Sequence, residues 1–328
     1  MKSNEINAFY YMKAFAIFSV ICAHITPLNE NVGLLSKFIS NFYDCLGCLG
    51  VGIFFIISGY LFYNNKYPLK EFLLEKFKKI ILPWFFIGSI VYICVFYFQQ
   101  KLSLIEYIKF LFGYGSYLYY LSVLFIFYLL FFSSKMKKIK ILIVLFIMSI
   151  VSNIITINYY DKLDHISYIN ALNWMIYFII GIVLNKYRKI DIIKERFHIS
   201  YILVLLIVLI HLFFSEKLSY FSPFGLITII LSFFSLLSLL LRKDINNKFL
   251  KYIGKISFSI YLIHMPIAGV IVRLSNLFDI PIIIIIRPFV TLLITVFVIW
   301  IYKKILDILG APKILYNLIG LKKGVKVI

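Results

Sequence analysis

The sequence predicts an all-α fold: a polytopic transmembrane helix bundle of about ten spans, with the N-terminus and the C-terminus cytoplasmic. Three observations support this. Of the 328 residues, 62% are hydrophobic, long apolar runs recur along the chain, and basic residues alternate between successive loops. Soluble domains are only roughly 45–50% apolar. A run of about 20 apolar residues forms a helix that crosses the ~30 Å hydrocarbon core.

The apolar runs give the predicted spans in chain order. They cover residues 8–26, 40–63, 80–98, 117–133, 141–157, 170–186, 199–214, 222–241, 256–276 and 282–302. The first run has no small-residue cleavage site and is expected to be retained as a span. No hydrophilic stretch is long enough to bury a core of its own. We therefore expect one integral-membrane domain over residues 1–328, with no appended soluble domain.

The charges in the loops set the predicted orientation. With the N-terminus inside, 26 of the 34 lysine and arginine residues fall in the inside loops and tails, and five fall in the outside loops. Short basic loops stay on the cytoplasmic side during insertion. The net charge of +20 then indicates contact with anionic membrane lipid, and we expect no nucleic-acid partner.

Two ionisable residues lie in the first predicted span. Lys13 and His24 are eleven positions apart, so at 100° per residue they face nearly the same side of one helix, with roughly 16 Å of rise between them. Ionisable groups inside spans usually mark a functional site or a buried pair. The alternative is that Lys13 snorkels to the inner headgroups while His24 sits in the outer interface.

Two later segments can also be explained either by function or by structure. Residues 50–60 combine small and aromatic side chains, and Ser58-Gly59 would also allow close helix packing. Residues 75–84 are basic, and Lys76 and Lys79 would share a helix face by their i,i+3 spacing. Two such lysines could hold a phosphate, or they could be ordinary positive-inside charge.

The order of these segments resembles the acyltransferase-3 family of bacterial membrane acyltransferases. The resemblance covers essentially the whole chain and is carried by four motifs: Lys13-x10-His24, Phe54-Phe55-Ile-Ile-Ser58-Gly59-Tyr60, Lys76-Phe-Lys-Lys79-Ile-Ile-Leu-Pro83 and Gly254-Lys-Ile-Ser257-Phe-Ser259-Ile-Tyr261-Leu-Ile-His264. This chain has lysine at positions 13, 76 and 79, where the family has arginine. A lysine ammonium is a point charge and lacks the bidentate fork of arginine.

The resemblance implies an integral-membrane O-acyltransferase of the bacterial cytoplasmic membrane. Such an enzyme moves an acyl group, with acetyl expected, from acyl-CoA at the cytoplasmic side to a hydroxyl of a cell-surface polysaccharide or another envelope glycan or glycolipid. Acetyl-CoA is the expected co-substrate, and no metal is expected. Several family members carry an extracytoplasmic domain that completes transfer, so a separate extracytoplasmic transfer protein is a possible partner.

The resemblance also suggests roles for individual residues. His24 would accept the proton of the acceptor hydroxyl, and Asp44 would orient its imidazole or be a solvated interfacial aspartate. The remaining residues fall into two groups that would contact ligands. The expected donor-binding residues are Lys13, Lys76 and Lys79, and the expected substrate-binding residues are Ser58, Tyr261 and His264.

Some interpretations stay open. A transporter or flippase for an exopolysaccharide or its lipid-linked precursor would also have about ten spans with polar groups inside, although no clear internal repeat is visible. The lysines in place of arginines also allow a partner subunit that has lost catalysis. Arg287, just before Pro288, is either interfacial or faces an acceptor cavity, and His165 matches no motif.

Overall fold

The computed structural model of the chain describes residues 3–25, 34–65, 67–97, 102–188, 190–197, 199–213, 218–243, 245–275 and 281–324. Most of these residues are helical, and no strand occurs among them. The predicted all-α class is therefore confirmed.

The described residues form sixteen α-helices. They are α1 (Ser3–Cys22), α2 (Leu34–Gly47), α3 (Leu49–Tyr63), α4 (Leu69–Lys76), α5 (Leu82–Tyr97), α6 (Leu104–Leu111), α7 (Tyr119–Leu130), α8 (Ile139–Asn158), α9 (Tyr160–Ile169), α10 (Ala171–Tyr187), α11 (Ile190–Arg196), α12 (Ser200–Phe213), α13 (Pro223–Arg242), α14 (Lys248–Ser275), α15 (Pro281–Ile308) and α16 (Lys313–Asn317). A π-helical segment, Phe77–Ile81, joins α4 to α5, and a 3₁₀ turn, Ser134–Lys137, precedes α8.

Eight helical stretches in the described part of the chain are long and apolar enough to cross a membrane. They are Asn4–Cys22, Leu35–Tyr63, Leu69–Phe96, Ile139–Asn158, His165–Tyr187, Pro223–Arg242, Lys248–Ser275 and Ile283–Ile308. Each corresponds to one predicted span, so the multi-pass membrane bundle is confirmed. The predicted span ends at residues 26, 98, 214 and 276 lie outside the described residues.

The two other predicted spans, 117–133 and 199–214, correspond to shorter apolar helices, Tyr119–Leu130 and Ser200–Leu212. A 12-residue helix rises only about 18 Å, which is less than the hydrocarbon thickness of ~30 Å. Of the ten predicted spans, eight therefore correspond to helices long enough to cross a membrane, and the other two are supported by the sequence pattern. The cytoplasmic placement of both termini stays a prediction.

The chain divides into two compact units. The first contains Met1–Ile53, Ile190–Pro312 and Lys323–Ile328, and the second contains Phe54–Lys189 and Lys313–Lys322. Helix α3 begins in the first unit and ends in the second. The interpretation of residues 1–328 as one domain stays a prediction.

In the second unit, α7 runs alongside α3 in the same direction. The ring of Phe55 lies 4.7 Å from that of Tyr120 near the start of α7, and the ring of Phe62 lies 5.1 Å from that of Tyr128 near its end. Because both pairs advance together along the chain, the short helix α7 accompanies α3 through its second half. This parallel course supports counting α7 as a crossing.

Helix α10 also runs parallel to α3 and packs against it at Gly59, the glycine of the second motif. A Cβ added to Gly59 would lie 2.2 Å from the Phe178 carbonyl oxygen, so only glycine allows this approach. About two turns farther along α10, the Asn185 side chain donates to the carbonyl oxygen of Tyr60, the residue after Gly59, at 2.6 Å. Close packing at small residues is the usual means by which membrane helices associate, so Gly59 has a packing role.

A buried polar network joins α8 to α10. Asn173 is fully buried, and its Nδ2 donates to the Thr156 hydroxyl at 3.0 Å and to the Ser167 carbonyl oxygen at 2.8 Å. Its Oδ1 accepts from the Ser152 hydroxyl at 2.6 Å. Lipid offers polar groups no partners, so these residues satisfy one another and fix the two helices together.

In the first unit, α1 packs against α14, and the two helices run parallel. A Cβ added to Gly254 near the start of α14 would lie 1.9 Å from the Tyr10 carbonyl oxygen of α1. Farther along both helices, the His24 and His264 rings meet at 5.5 Å. Gly254 therefore sets the distance between the helices that carry the two histidines.

Candidate functional site

His24 lies in the turn that follows α1. The helix ends at Cys22, and the His24 backbone N–H donates to the Ile21 carbonyl oxygen at 3.0 Å, a tightened last turn. The predicted span 8–26 assumed a regular helix through this position. The angular count from Lys13 therefore does not extend to His24, and the half-buried imidazole is presented by a turn.

His264 is fully buried in α14, and its own helix fixes its ring. Its Nδ1 lies 2.7 Å from the Tyr261 carbonyl oxygen and 3.2 Å from that of Ile260. A carbonyl oxygen can only accept a hydrogen bond, so in the neutral ring the hydrogen is assigned to Nδ1. The lone pair is then on Nε2, which becomes the acceptor nitrogen of His264.

The two imidazoles are neighbours, although 240 positions separate them in the chain. Their ring centroids are 5.5 Å apart and the ring planes are tilted by 45°. The Tyr261 ring lies 6.0 Å from that of His264. The structure therefore brings together three predicted site residues, His24, Tyr261 and His264, at one end of the α1–α14 pair.

A buried arginine adjoins this histidine pair. Arg287, on α15, is 3% exposed, and its Nη1 donates to the Ile25 carbonyl oxygen at 3.4 Å. Ile25 directly follows His24 and is fully buried. The sequence left open whether Arg287 is interfacial; the structure places it inside the first unit, next to the turn that carries His24.

Asp44 lies on α2, and its neighbour Tyr43 joins that helix to α15. The Tyr43 hydroxyl donates to the Ile285 carbonyl oxygen at 2.7 Å, two residues before Arg287. The Asp44 carboxylate is half-buried. Its suggested role in orienting His24 stays a prediction.

Lys13 belongs to the same unit but lies in the middle of α1, three positions after Tyr10, which packs on Gly254. Its side chain is half-buried. The helix from Lys13 to its last residue, Cys22, rises roughly 14 Å, and His24 follows in the turn beyond it. The structure thus does not group Lys13 with the predicted catalytic residues, and its donor-binding role stays a prediction.

In the second unit, two lysines lie over one aromatic cluster, formed by Phe62, Phe72 and Tyr128. The Lys76 Nζ is 4.3 Å from the centroid of Tyr128, and the Lys137 Nζ is 4.9 Å from that of Phe62. The Phe62 ring lies 5.6 Å from Phe72 and 5.1 Å from Tyr128. Aromatic faces attract cations without carrying an opposite charge, so these ring contacts do not neutralise either ammonium group.

Lys79 has different surroundings from Lys76. It lies in the π-helical segment, where the i,i+3 relation of an α-helix no longer applies. Its side chain is exposed, and its ammonium forms an ion pair with Glu75. The expectation that Lys76 and Lys79 act together from one helix face is therefore not met: Lys76 packs on rings, whereas Lys79 faces outward.

Lys137 is a residue that sequence reasoning missed. In the sequence it is one of three closely spaced lysines ahead of α8, and nothing distinguishes it from the exposed Lys135 and Lys138. In the structure it is half-buried on the aromatic cluster, and partial burial lowers the pKa of its ammonium. Its carbonyl oxygen also accepts a hydrogen bond from the Lys186 Nζ at 3.2 Å.

Ser58 lies on α3 in the second unit. Its hydroxyl is 3.3 Å from the Tyr120 hydroxyl of α7, so either oxygen can donate. This contact, together with Gly59, explains the Ser-Gly pair by helix packing. The substrate-binding role expected for Ser58 stays a prediction.

Fold and site together define a multi-pass membrane protein with a histidine pair at one helix end and lysines over aromatic rings elsewhere. The family model described as an acyltransferase domain matches residues 6–303. The chain therefore belongs to this acyltransferase-3 family and is a membrane acyltransferase. The family predicted from the four motifs is confirmed. No significant match to a curated protein or to a solved structure was found.

Proposed function

We propose that this protein is an O-acyltransferase of the bacterial cytoplasmic membrane. It takes an acetyl group from acetyl-CoA at the cytoplasmic side and transfers it to a hydroxyl of an envelope polysaccharide or glycolipid. Membership of the acyltransferase family supports the reaction class. The observation that carries the proposal is the meeting of His24 and His264 at 5.5 Å, because hydroxyl acylation needs a positioned base.

The proposed reaction is a direct transfer. The acceptor hydroxyl oxygen attacks the thioester carbonyl carbon while His24 takes the hydroxyl proton, and the carbonyl electron pair moves to its oxygen. The carbon–sulfur bond then breaks, and the CoA thiolate takes the proton back from His24. His264, with its lone pair on Nε2, accepts a hydrogen bond from the sugar and orients the attacking group, and Asp44 orients His24.

The lysines of the aromatic cluster supply the proposed donor site. Coenzyme A carries phosphates at the end opposite to its thioester, and phosphate binds ammonium groups through charge-assisted hydrogen bonds. The ammonium groups of Lys76 and Lys137 lie over aromatic rings, whereas that of Lys79 forms an ion pair with the Glu75 carboxylate. We therefore assign the phosphate contacts of this cluster mainly to Lys76 and Lys137, with Lys79 as a weaker contributor.

Replacing Lys137 with glutamine should raise the KM for acetyl-CoA by at least about tenfold, because one charge-assisted contact contributes roughly 1.5–3 kcal/mol. The kcat should change little, since the phosphates do not react. Lys135→Gln is the matched control: it removes the same charge from an exposed position on the same 3₁₀ turn. Steady-state kinetics at saturating acceptor measure both values. Equal KM values for the two variants would contradict the donor assignment.

A vesicle experiment tests the function as a whole. Inverted membrane vesicles with or without the protein are formed with envelope glycan inside, taken from cells that lack the protein, and radiolabelled acetyl-CoA is then added outside, where the cytoplasmic face is exposed. Base-labile label on the glycan, dependent on the protein, is the expected result. Movement of unmodified glycan across the membrane without acetyl-CoA would instead identify a carrier. If label appears only after an extracytoplasmic protein is added, the reaction uses the separate transfer partner that the family allows.

A further inference from the structure

Helix α7 has 12 residues and rises only about 18 Å, so it cannot cross the ~30 Å hydrocarbon core alone. We propose that α6 and α7 form one broken crossing, interrupted at residues 112–118, and that exposed polar residues of α6 and of the break line a water-filled vestibule open to the outer side. The vestibule is defined by Glu106, Lys109 and Tyr114. This inference goes beyond the proposed function and does not depend on it.

Helix α6 runs antiparallel to α5 and alongside it. Just before the start of α6, the Tyr92 hydroxyl donates to the Ser103 carbonyl oxygen at 2.8 Å. At the end of α6, the Trp84 Nε1 donates to the Leu111 carbonyl oxygen at 2.9 Å. Positions on α5 therefore decrease as positions on α6 increase, and the chain turns back beside α5 over the whole length of α6.

The depth of α6 in the membrane follows from the sequence of α5. The charged segment ahead of α5 ends at Lys79, and residues 80–97 carry no charged side chain. This apolar run rises roughly 27 Å, close to the thickness of the hydrocarbon core. The Ser89 hydroxyl, in the middle of the run, is 2.7 Å from the Tyr107 hydroxyl of α6. The middle of α6 therefore lies near the middle of the core.

Helix α7 continues in the direction of α6. The Phe72 ring of α4, which continues into α5 as one helical stretch, lies 5.5 Å from the Phe132 ring just beyond α7. Farther along that stretch, a Cβ added to Gly88 would lie 2.7 Å from the Leu111 side chain and 3.1 Å from that of Leu118. Helix α7 thus begins at the depth where α6 ends. Their rises of about 12 and about 18 Å together match the ~30 Å of the core.

The protein itself satisfies the backbone at the break. Non-helical backbone inside a membrane is tolerated only where it is buried in protein or lines a water-filled cavity. The Ser116 hydroxyl donates to the Phe110 carbonyl oxygen at 2.6 Å. The Ser122 hydroxyl donates to the Phe112 carbonyl oxygen at 2.8 Å, and the carbonyl between them is the one that accepts from Trp84. The chain turns there at two glycines with positive φ, Gly113 and Gly115.

The surface of α6 that does not pack on α5 has an apolar side and a charged side. The exposed apolar residues are Leu104, Ile105 and Ile108. On the charged side, the exposed Glu106 and Lys109 form an ion pair at 2.7 Å, and the Lys109 Nζ lies 5.7 Å from the centroid of the exposed Tyr114 ring in the break.

Charged side chains at mid-depth in a membrane face the bundle interior or a water-filled cavity, because lipid does not solvate them. Since this ion pair is exposed rather than enclosed by the protein, we assign water to its surroundings. The sequence of α7, residues 119–130, carries no charge, so the polar surface ends at the break. The vestibule therefore opens toward the end of α6 that is outside in the predicted topology.

The test compares Lys109→Cys with Ile108→Cys, two adjacent exposed positions at one depth, in full-length protein that also carries Cys94→Ser. Cys94 is exposed, and the other three cysteines are buried. A charged, membrane-impermeant thiol reagent is added to right-side-out vesicles. Lys109→Cys should react at least about tenfold faster than Ile108→Cys, because only the thiolate reacts and an apolar setting keeps the thiol protonated. A lipid-soluble spin label on Ile108→Cys should lie at least about 10 Å inside the core.

Several outcomes would overturn the inference. Equally fast reaction at both positions, with a shallow spin label, places α6 in water and rejects the broken crossing. A deep label at position 108 without reaction at position 109 from either side rejects the vestibule, and reaction at position 109 only in inverted vesicles rejects the outward opening. If Lys109→Cys fails to fold, Tyr114→Cys replaces it under the same criteria and keeps the ion pair. None of these measurements uses acyl transfer, so they are independent of the proposed function.

Discussion

Replacing His24 with alanine should lower acyl transfer by at least about 100-fold, because general-base catalysis contributes roughly 10²–10⁴ in rate. The acceptor hydroxyl would still bind, but no group at the end of α1 would take its proton. The loss should therefore fall on kcat, with the KM for acetyl-CoA nearly unchanged. Initial rates of label transfer to isolated glycan, at equal amounts of purified protein, measure the effect.

The control for this prediction is His165→Ala. His165 lies in α9, is exposed and belongs to the second unit. It is therefore a histidine outside the candidate site. It should transfer acetyl at the wild-type rate. Transfer by His24→Ala at a rate close to that of His165→Ala would remove His24 from the mechanism and leave His264 as the remaining imidazole of the pair.

Replacing Gly254 with alanine should damage both stability and activity. The new Cβ would lie 1.9 Å from the Tyr10 carbonyl oxygen, a backbone atom that cannot rotate away. Helices α1 and α14 must therefore separate, which we expect to lower the free energy of unfolding by about 1–3 kcal/mol. Because these helices carry His24 and His264, a displacement of about 1 Å should also lower transfer by about 100-fold.

The same helix supplies a matched control. Gly269 also lies in α14, and nothing lies within 4 Å of the Cβ it would gain. Gly269→Ala should therefore leave transfer unchanged and raise helix stability slightly, since alanine is the better helix former. Thermal unfolding in detergent and transfer kinetics measure both variants. If the two alanine variants behaved alike, the close approach of α1 and α14 would not be what holds the histidines together.

Sequence reasoning predicted the parts of the fold that depend on hydropathy. Long apolar runs predicted the helices that cross the bilayer, because length and composition alone decide whether a helix can span lipid. The motif glycines were noticed as small residues, but their partners, Phe178 for Gly59 and Tyr10 for Gly254, are distant in the chain. Such pairings are set by tertiary packing, which hydropathy does not report.

The candidate site was predicted only in part, again because tertiary packing brings its residues together. Pattern and resemblance selected His24 and His264 separately, and only the fold shows that their rings meet. The pairing of Lys76 with Lys79 failed because a π-helical segment changes the spacing between them. Arg287 and Lys137 were visible only as basic residues, since the partner of Arg287 follows α1 and the ring under Lys137 belongs to α3.

The parallel pairing of α1 with α14 also has a consequence for how the protein is made. His24 leaves the ribosome early, whereas His264 follows 240 residues later. At about 5–20 residues per second, roughly tens of seconds pass between them. During that interval α14 has not yet been synthesised, so α1 lies in the membrane without it. The histidine pair can therefore form only near the end of synthesis. A nascent chain interrupted before α14 would insert most of its helices and still lack the histidine pair.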